Sequence, residues 1–265
     1  MILKKILSTV ASYTNESGAH LVGLNMEGPF ISVSKKGAQD ERNIIPCDAA
    51  LFREFQEAAR GLIRFIGVAP ETGLDRTLDF IREVKGEVSV SLAHTNASYT
   101  DAKAAFDAGA CHAVHLFNAM PAFTHREPGV VGAVFDSKHV FAELICDGVH
   151  IHPAMVRAAF AMMGAERICL ISDSMRAAGM PDGSYTLGGL AVNVSGKHAT
   201  LAEGGALAGS VTNLADCMRT AVKEMDIPLE EAIRCATLNP ARALHLEHRY
   251  GSIDPWKRTG NLVTF

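Results

Sequence analysis

The stretch VSVSLAHTNASYTDAKAAFDAGACHAVHL (88–116) predicts a strand, a helix and a second strand in close succession. Residues 88–93 and 112–116 are short apolar runs of strand length, whereas residues 98–110 have the apolar spacing of an amphipathic helix. This order is typical of a parallel β-sheet that is covered by helices. Each of the two strands also ends near a histidine, which is unusual enough to examine in the rest of the chain.

The same alternation extends in both directions along the chain. The predicted strands are 20–26, 62–68, 88–93, 112–116, 140–146 and 167–172, and the predicted helices are 49–60, 74–86, 98–110 and 152–164. We expect the strands to be parallel and adjacent in chain order. Residues 183–201 change to glycine turns and alternating β-type residues, which predicts an antiparallel insertion, and residues 210–246 return to helix.

Composition limits the possible classes of protein. The chain has 265 residues, of which 48% are hydrophobic, and a formal net charge of −4 without a basic run, which argues against a nucleic-acid surface. Its six cysteines are scattered and several lie in apolar runs, so we interpret them as buried free thiols in a reducing cytoplasm. Neither a signal peptide nor a stretch of membrane-spanning length is visible.

Polar side chains recur at the carboxyl ends of the predicted strands. Glu27 follows the first strand, His94 the third, and Asp173 the sixth, while His115 lies within the fourth; Asp147 and then His150 follow the fifth. In a (β/α) barrel these ends form one rim, where active sites are built. Any one of these residues is more commonly an ordinary loop residue, but their joint position predicts a site on the rim. The two-residue period of a strand puts His112 on the face opposite His115.

Two imidazoles and a carboxylate from separate strands are a ligand set typical of zinc or iron. A further aspartate on the rim can carry protons, because a bound divalent cation lowers the pKa of its water towards ~7. This combination predicts metal-dependent hydrolysis, with an aspartate of the rim as the acid/base group. The spacings alone do not indicate which bond is cleaved.

Six motifs in order give the chain a resemblance to a known family. They are MEGPFISVSKKGAQ (26–39), AHTNASY (93–99), HLFNAMPAFTHREPG (115–129), DGVHIHP (147–153), SDSMRAAGMPDGSY (172–185) and GALAGS (205–210). Together they resemble the N-acetylglucosamine-6-phosphate deacetylases of the amidohydrolase superfamily, over almost the whole chain. The resemblance implies a homodimeric, metal-dependent enzyme that removes acetate from N-acetylglucosamine 6-phosphate and yields glucosamine 6-phosphate.

The resemblance also implies a role for individual residues. The metal ligands would be Glu27, His94 and His115, and the catalytic acid/base would be Asp173. The substrate-binding residues would be Asn118, the backbone of Ala119, Arg126, His150, Gln39 and Leu207. Among these, Arg126 would reach the phosphate across a dimer interface, since a guanidinium pairs bidentately with phosphate.

The chain departs from the family pattern at several positions. Asn25 and Gln39 stand where many or some members have a histidine, and the amide of Gln39 can donate a hydrogen bond to the acetyl carbonyl but cannot titrate. The family's first strand with its H-x-H motif is not visible, and six strand–helix units are found where a closed barrel has eight. We therefore expect an α/β fold with an incomplete TIM-like (β/α) barrel in residues 1–246, lacking the first two strands, in a fragment of a longer enzyme or a truncated gene product. Residues 247–265 would begin a small C-terminal β-sandwich segment.

Two alternatives to this deacetylase remain open. One is a related amidohydrolase that acts on a cyclic amide or another N-acyl substrate, which Asn118 and Arg126 argue against. The other is an inactive remnant that binds sugar phosphate, which is plausible because an open barrel exposes two sheet edges.

Overall fold

The computed structural model describes residues 2–14 and 19–257, and its main feature is a six-stranded parallel sheet. The strands are β1 (Leu24–Phe30), β2 (Ile63–Val68), β3 (Ser89–Leu92), β4 (His112–Ala113), β5 (Phe141–Ile145) and β6 (Ile168–Ile171). They are adjacent in chain order, and every neighbouring pair is parallel. The prediction of strand order and direction is therefore confirmed.

The first strand differs from its prediction at both ends. It begins at Leu24 rather than at residue 20 and continues through Pro29 to Phe30, so the predicted end at residue 26 is wrong. Between Met26 and Phe30 the chain contains extra residues relative to β2. Such a β-bulge redirects side chains and accommodates proline at a sheet edge. Glu27 consequently lies inside a bulge rather than at the tip of the strand.

Nine helices are described, and most of them cover one face of the sheet. They are α1 (Ile2–Ala11), α2 (Ala49–Ala58), α3 (Leu74–Val84), α4 (Tyr99–Ala108), α5 (Gly129–Asp136), α6 (Pro153–Met163), α7 (Leu214–Glu224), α8 (Leu229–Ala236) and α9 (Leu238–Ala243). The ends of α4 show why the sequence forms a helix there: Ser98 accepts a hydrogen bond from the backbone of Asp101, and Gly109 ends the helix at φ 128°.

The two faces of the sheet are packed differently. On the outer face, Ile66, Leu92 and Leu144 are fully buried in the main core beneath the helices. On the inner face, Phe65 and Cys169 form a small separate apolar cluster with Ala243 of α9. This division follows from the alternation of side chains along each strand.

Residues 183–201 form the predicted antiparallel insertion. Its strands are β7 (Gly183–Leu187), β8 (Leu190–Ser195) and β9 (His198–Leu201). Val192 and Val194 pack onto Met175 and Ala208 in a separate small core, against which Ala38 also packs. The insertion thereby lies next to the segment that follows β1.

The sheet is not closed in the described residues. Ser174, just after β6, forms a single parallel bridge with Ser210, which extends the sheet by no more than one residue pair. Residues 247–257 contain no strand, and the rest of the predicted sandwich segment, 258–265, lies outside the described residues. That segment therefore stays a prediction. None of the described helices is long and apolar enough to cross a membrane.

Candidate metal and substrate site

The three predicted metal ligands come from three strands and meet at the carboxyl edge of the sheet. Glu27 lies in the bulge of β1, His94 lies two residues after β3, and His115 lies two residues after β4. Both histidines have left-handed backbone conformations, with φ 45° at His94 and φ 30° at His115. Such conformations are costly for residues other than glycine and are concentrated at functional sites.

The ligand atoms of this group lie close enough to share one ion. Nε2 of His94 is 2.9 Å from one carboxylate oxygen of Glu27, and Nε2 of His115 is 3.3 Å from the other. The two Nε2 atoms are 3.2 Å apart. In the described part of the chain, no other set of histidines, cysteines and acidic residues meets the same geometric criterion.

Hydrogen bonds on the far side of each imidazole fix which nitrogen faces the site. His94 donates from Nδ1 to the backbone oxygen of Lys35 at 2.6 Å, and His115 donates from Nδ1 to the backbone oxygen of Asn118 at 3.1 Å. Both Nε2 atoms are thus directed at Glu27, which is how metal-binding histidines are generally held. The residues present therefore fit a divalent metal ion.

The electrostatics of the group reflect its tight packing. Burial alone would raise the pKa of Glu27, but the hydrogen bonds and charges of His115 and His94 outweigh it and hold that pKa far below its usual range. Burial would lower the pKa of His115, but Glu27 raises it to about 9, with smaller contributions from Asp173 and Glu143. Burial raises the pKa of Asp173 itself.

A cavity of about 730 Å³ adjoins the three ligands. It is lined by nine of the ten predicted site residues: Glu27, Gln39, His94, His115, Asn118, Ala119, His150, Asp173 and Leu207. The exception is Arg126, which is exposed and donates a hydrogen bond to His125 at 2.7 Å. The arginine is therefore not part of the cavity of its own chain.

Two of the predicted substrate residues have partners that the sequence did not indicate. Gln39 donates from Nε2 to Glu27 at 2.6 Å, so it contacts a predicted metal ligand directly. His150 is held by the buried Asp147, which accepts from Nδ1 of the imidazole at 2.7 Å and from the backbone nitrogens of Val149 and His150. This leaves Nε2 of His150 as the ring nitrogen not used by Asp147.

Several cavity residues were missed by the sequence analysis. Lys35 lines the cavity and donates from Nζ to the backbone oxygen of Met120 at 3.1 Å. Leu187 and Gly188, at the tip of the antiparallel insertion, also line it. The KKG signal of residues 35–37 and the glycine turn were visible, but nothing in the local pattern connects them with a site formed by other strands.

Comparison with known proteins agrees with this geometry. The model of the amidohydrolase family matches residues 9–263. The chain is 39% identical to the N-acetylglucosamine-6-phosphate deacetylase of Bacillus subtilis (strain 168), covering 89% of this chain and 59% of the relative. It is also 39% identical to the N-acetylgalactosamine-6-phosphate deacetylase of Escherichia coli O157:H7, covering 91% and 63% respectively. The chain thus spans about three fifths of the length of these curated relatives.

A solved structure shows the same fold. It is a mutant of the N-acetyl-D-glucosamine-6-phosphate deacetylase of Mycobacterium smegmatis in complex with N-acetyl-D-glucosamine-6-phosphate. The two chains superimpose with a TM-score of 0.86 at 34% identity, over 94% of this chain and 65% of the other. The chain therefore belongs to the amidohydrolase family, in the group that contains the N-acetylglucosamine-6-phosphate deacetylases.

Proposed function

We propose that this chain carries the active site of a metal-dependent deacetylase that removes acetate from N-acetylglucosamine 6-phosphate and yields glucosamine 6-phosphate. The observation that carries the proposal is the convergence of Glu27, His94 and His115 beside Asp173 in one cavity. Hydrolysis of an unactivated amide requires both an activated water and a proton donor for the departing nitrogen. This cavity offers residues for both tasks.

Glu27, His94 and His115 would hold a divalent metal ion, of which zinc and iron suit nitrogen and carboxylate donors best. When bound, the ion supplies a Lewis acid that makes water nucleophilic at neutral pH. Glu27 orients both imidazoles through its two oxygens, and Gln39 keeps the carboxylate in place by donating to it.

Asp173 would transfer the proton of the reaction. Its carboxylate accepts a proton from the attacking water and then donates it to the sugar nitrogen, which would otherwise leave as a strongly basic anion. Burial raises the pKa of Asp173 and thus makes the carboxyl a better base and a usable acid.

The sugar phosphate would be held by residues that line the cavity. The side chain of Asn118 and the backbone of Ala119 would contact the phosphate, with Leu207 against the sugar ring. His150 would contact a sugar hydroxyl through Nε2, because Asp147 occupies Nδ1.

Arg126 would complete the phosphate site from a second copy of the chain in a homodimer. This is consistent with its exposure and with its position outside its own cavity. Mixing Arg126→Ala chains with Asp173→Asn chains should then restore activity, since one mixed site contains both native residues. Failure to restore activity in mixed dimers would contradict a contribution across the interface.

The six free thiols support a cytoplasmic location.

Acetate release by the purified chain tests the activity directly, with bound metal measured on the same sample. We expect metal-dependent release from N-acetylglucosamine 6-phosphate and much less from N-acetylglucosamine, which lacks the phosphate. N-acetylgalactosamine 6-phosphate should be assayed in parallel, because the E. coli O157:H7 relative that is 39% identical is named for that substrate. A folded, metal-loaded chain that binds the sugar phosphate without releasing acetate would support a binding remnant instead. Hydrolysis only of cyclic amides or other N-acyl compounds would support a different amidohydrolase.

A further inference from the structure

A buried carboxylate lies directly beneath the metal site and has no role in the proposed chemistry. Glu143, in β5, is only 6% exposed. Its oxygen Oε1 accepts a hydrogen bond from Nε2 of His112 at 2.9 Å, and Oε2 accepts one from the backbone nitrogen of His115 at 3.2 Å. One carboxylate thus connects a buried histidine of the barrel interior with the backbone of a metal ligand.

Glu143 contacts the backbone just after β4, where the chain leaves the sheet. β4 is only two residues long, and beyond it Val114 still donates to the backbone of Leu92 at 3.0 Å. The next two backbone nitrogens both donate hydrogen bonds to Glu143. That of His115 donates to the side chain, and that of Leu116 donates to the main-chain oxygen at 2.8 Å. Glu143 therefore holds the backbone on both sides of the φ 30° turn at His115. A left-handed residue of this kind persists only where its surroundings over-determine it.

His112 in turn holds Glu143. Its ring packs against Phe65, with ring centroids 4.6 Å apart, and against Phe141 at 6.4 Å. Nε2 donates to the carboxylate, while Nδ1 is buried without a hydrogen-bond partner in the described structure. The aromatic packing orients the imidazole, and in the described structure its one hydrogen bond goes to Glu143.

Stability is a poor explanation for this arrangement. Desolvating a carboxylate is costly, and replacing a buried polar or charged pair by well-packed apolar residues is often neutral or stabilising. The unpartnered Nδ1 of His112 adds a further cost. A benefit that offsets these costs must lie elsewhere, and in the described structure the side-chain hydrogen bond that leads out of the pair goes to the backbone of His115.

We propose that Glu143, oriented by His112, is a positioning residue for the metal centre. It sets the backbone conformation of His115, so that Nε2 of that histidine meets His94 and Glu27. This inference rests on the metal site of the proposed function, and it assigns His112 a part that strand periodicity did not predict. His112 is not one of the three residues whose ligand atoms converge, but it is connected to one of them, His115, through Glu143.

The test is the affinity of the full chain for Zn²⁺, measured by competition with a chromogenic chelator. The double variant Glu143→Leu/His112→Phe replaces the pair by apolar residues of similar size, and we expect it to fold with near-native thermal stability. We expect its affinity for Zn²⁺ to fall by about 10- to 100-fold, as is typical when an outer partner of a metal ligand is removed. Glu143→Gln, which keeps the shape of the side chain, should lie between this variant and the wild type.

The matched control is Asn239→Ala. Asn239 is also a fully buried polar residue. Its amide donates to the backbone oxygens of Ala165 and Ile168 near the start of β6, at the amino edge of the sheet, away from the metal site. We expect this variant to lose thermal stability and to keep its affinity for Zn²⁺. It thereby separates a loss of positioning from a general loss of stability.

Backbone hydrogen exchange gives a second readout that needs no metal. In the metal-free double variant, the amide of His115 should exchange faster than in the wild type, whereas the amide of Val114, bonded to Leu92, should not change. If the double variant and Glu143→Gln bind Zn²⁺ as tightly as the wild type, or if exchange at His115 is unaltered, the positioning role is overturned. A wild-type chain that binds no Zn²⁺ would instead refute the metal centre, and the inference with it.

Discussion

The carboxyl edge of the sheet and its helix-covered outer face are built from the same strands but obey different rules. The outer face is regular and apolar, with Ile66 and Leu92 among its fully buried residues. At the carboxyl edge, polar groups are packed together. Nine described residues other than glycine have positive φ, and five of them lie in the loops of this edge: His94, His115, Phe117, Ala119 and Asp173.

The difference shows which region lowers the free energy of the folded state and which region raises it. Burial of apolar surface on the outer face is the main favourable contribution to folding. Each left-handed residue at the carboxyl edge costs on the order of 1–3 kcal/mol and is retained because the site needs it. Changes at the edge should therefore alter metal binding and catalysis, whereas changes on the outer face should alter the free energy of unfolding.

The largest effect is expected from Glu27→Ala. Because both imidazoles are directed at this carboxylate, its removal should abolish stoichiometric metal binding and acetate release together. Metal content by elemental analysis and activity should be measured on the same preparation. His94→Ala should behave in the same way. If Glu27→Ala retains a full equivalent of metal, Glu27 is not a ligand.

The second largest effect is expected from Asp173→Asn, which keeps the shape of the side chain but cannot carry a proton. The kcat of acetate release should fall by ~10²–10⁴, the usual contribution of a positioned acid/base group. The metal content should stay close to that of the wild type. Turnover near the wild-type rate would exclude the proton-transfer role, and loss of the metal would make Asp173 a ligand.

The outer face should respond in the opposite way. Ile66→Ala leaves a cavity in the main core, where the side chain is fully buried. The free energy of unfolding should decrease by about 2–5 kcal/mol, measured by denaturant titration of the metal-free chain. The affinity for Zn²⁺ of the fraction that remains folded should not change. A large loss of affinity would show that the two regions are not independent.

A smaller effect is expected from pH. The pKa of His115 is raised to about 9 in the metal-free site, so the imidazole is protonated at neutral pH and the metal must displace that proton. The affinity for Zn²⁺ should therefore rise by about tenfold from pH 7 to pH 8 and level off above the pKa. Calorimetry in buffers of different ionisation enthalpy would detect the released proton. In metal-free Glu27→Gln, the pKa of His115 measured by NMR should be lower than in the wild type, because the carboxylate that raises it is gone. An affinity that is independent of pH would contradict a protonated His115.

The strands were predictable because their signal is local. A short apolar run of strand length bounded by turn residues is consistent with a buried strand without information from the rest of the chain. Two of the differences from prediction have local causes as well. β1 was predicted to end at residue 26, but it continues through Pro29 because a bulge in an edge strand accommodates the proline. Helix α5 was missed because GVVGAVFD is apolar on all sides and contains two glycines, which reads equally well as a buried strand.

The identities of the site residues were also accessible from the sequence, because Glu27, His94, His115 and Asp173 follow or interrupt predicted strands and lie in quoted motifs. What the sequence could not provide was their partners. Gln39 contacts Glu27 rather than only facing the cavity, and Arg126 lies outside the cavity of its own chain.

The pattern of residues along the chain thus determined the strands, their direction and the edge at which polar groups gather, because strands that alternate with helices form a parallel sheet whose carboxyl ends share one edge. Only the tertiary structure decided that Glu143 meets His112 and the backbone of His115. The physical reason is that such contacts depend on the register between strands and on the path of the loops. Register and loops bring together groups that are about thirty residues apart in the chain, and neither group gives a local sequence signal of the other.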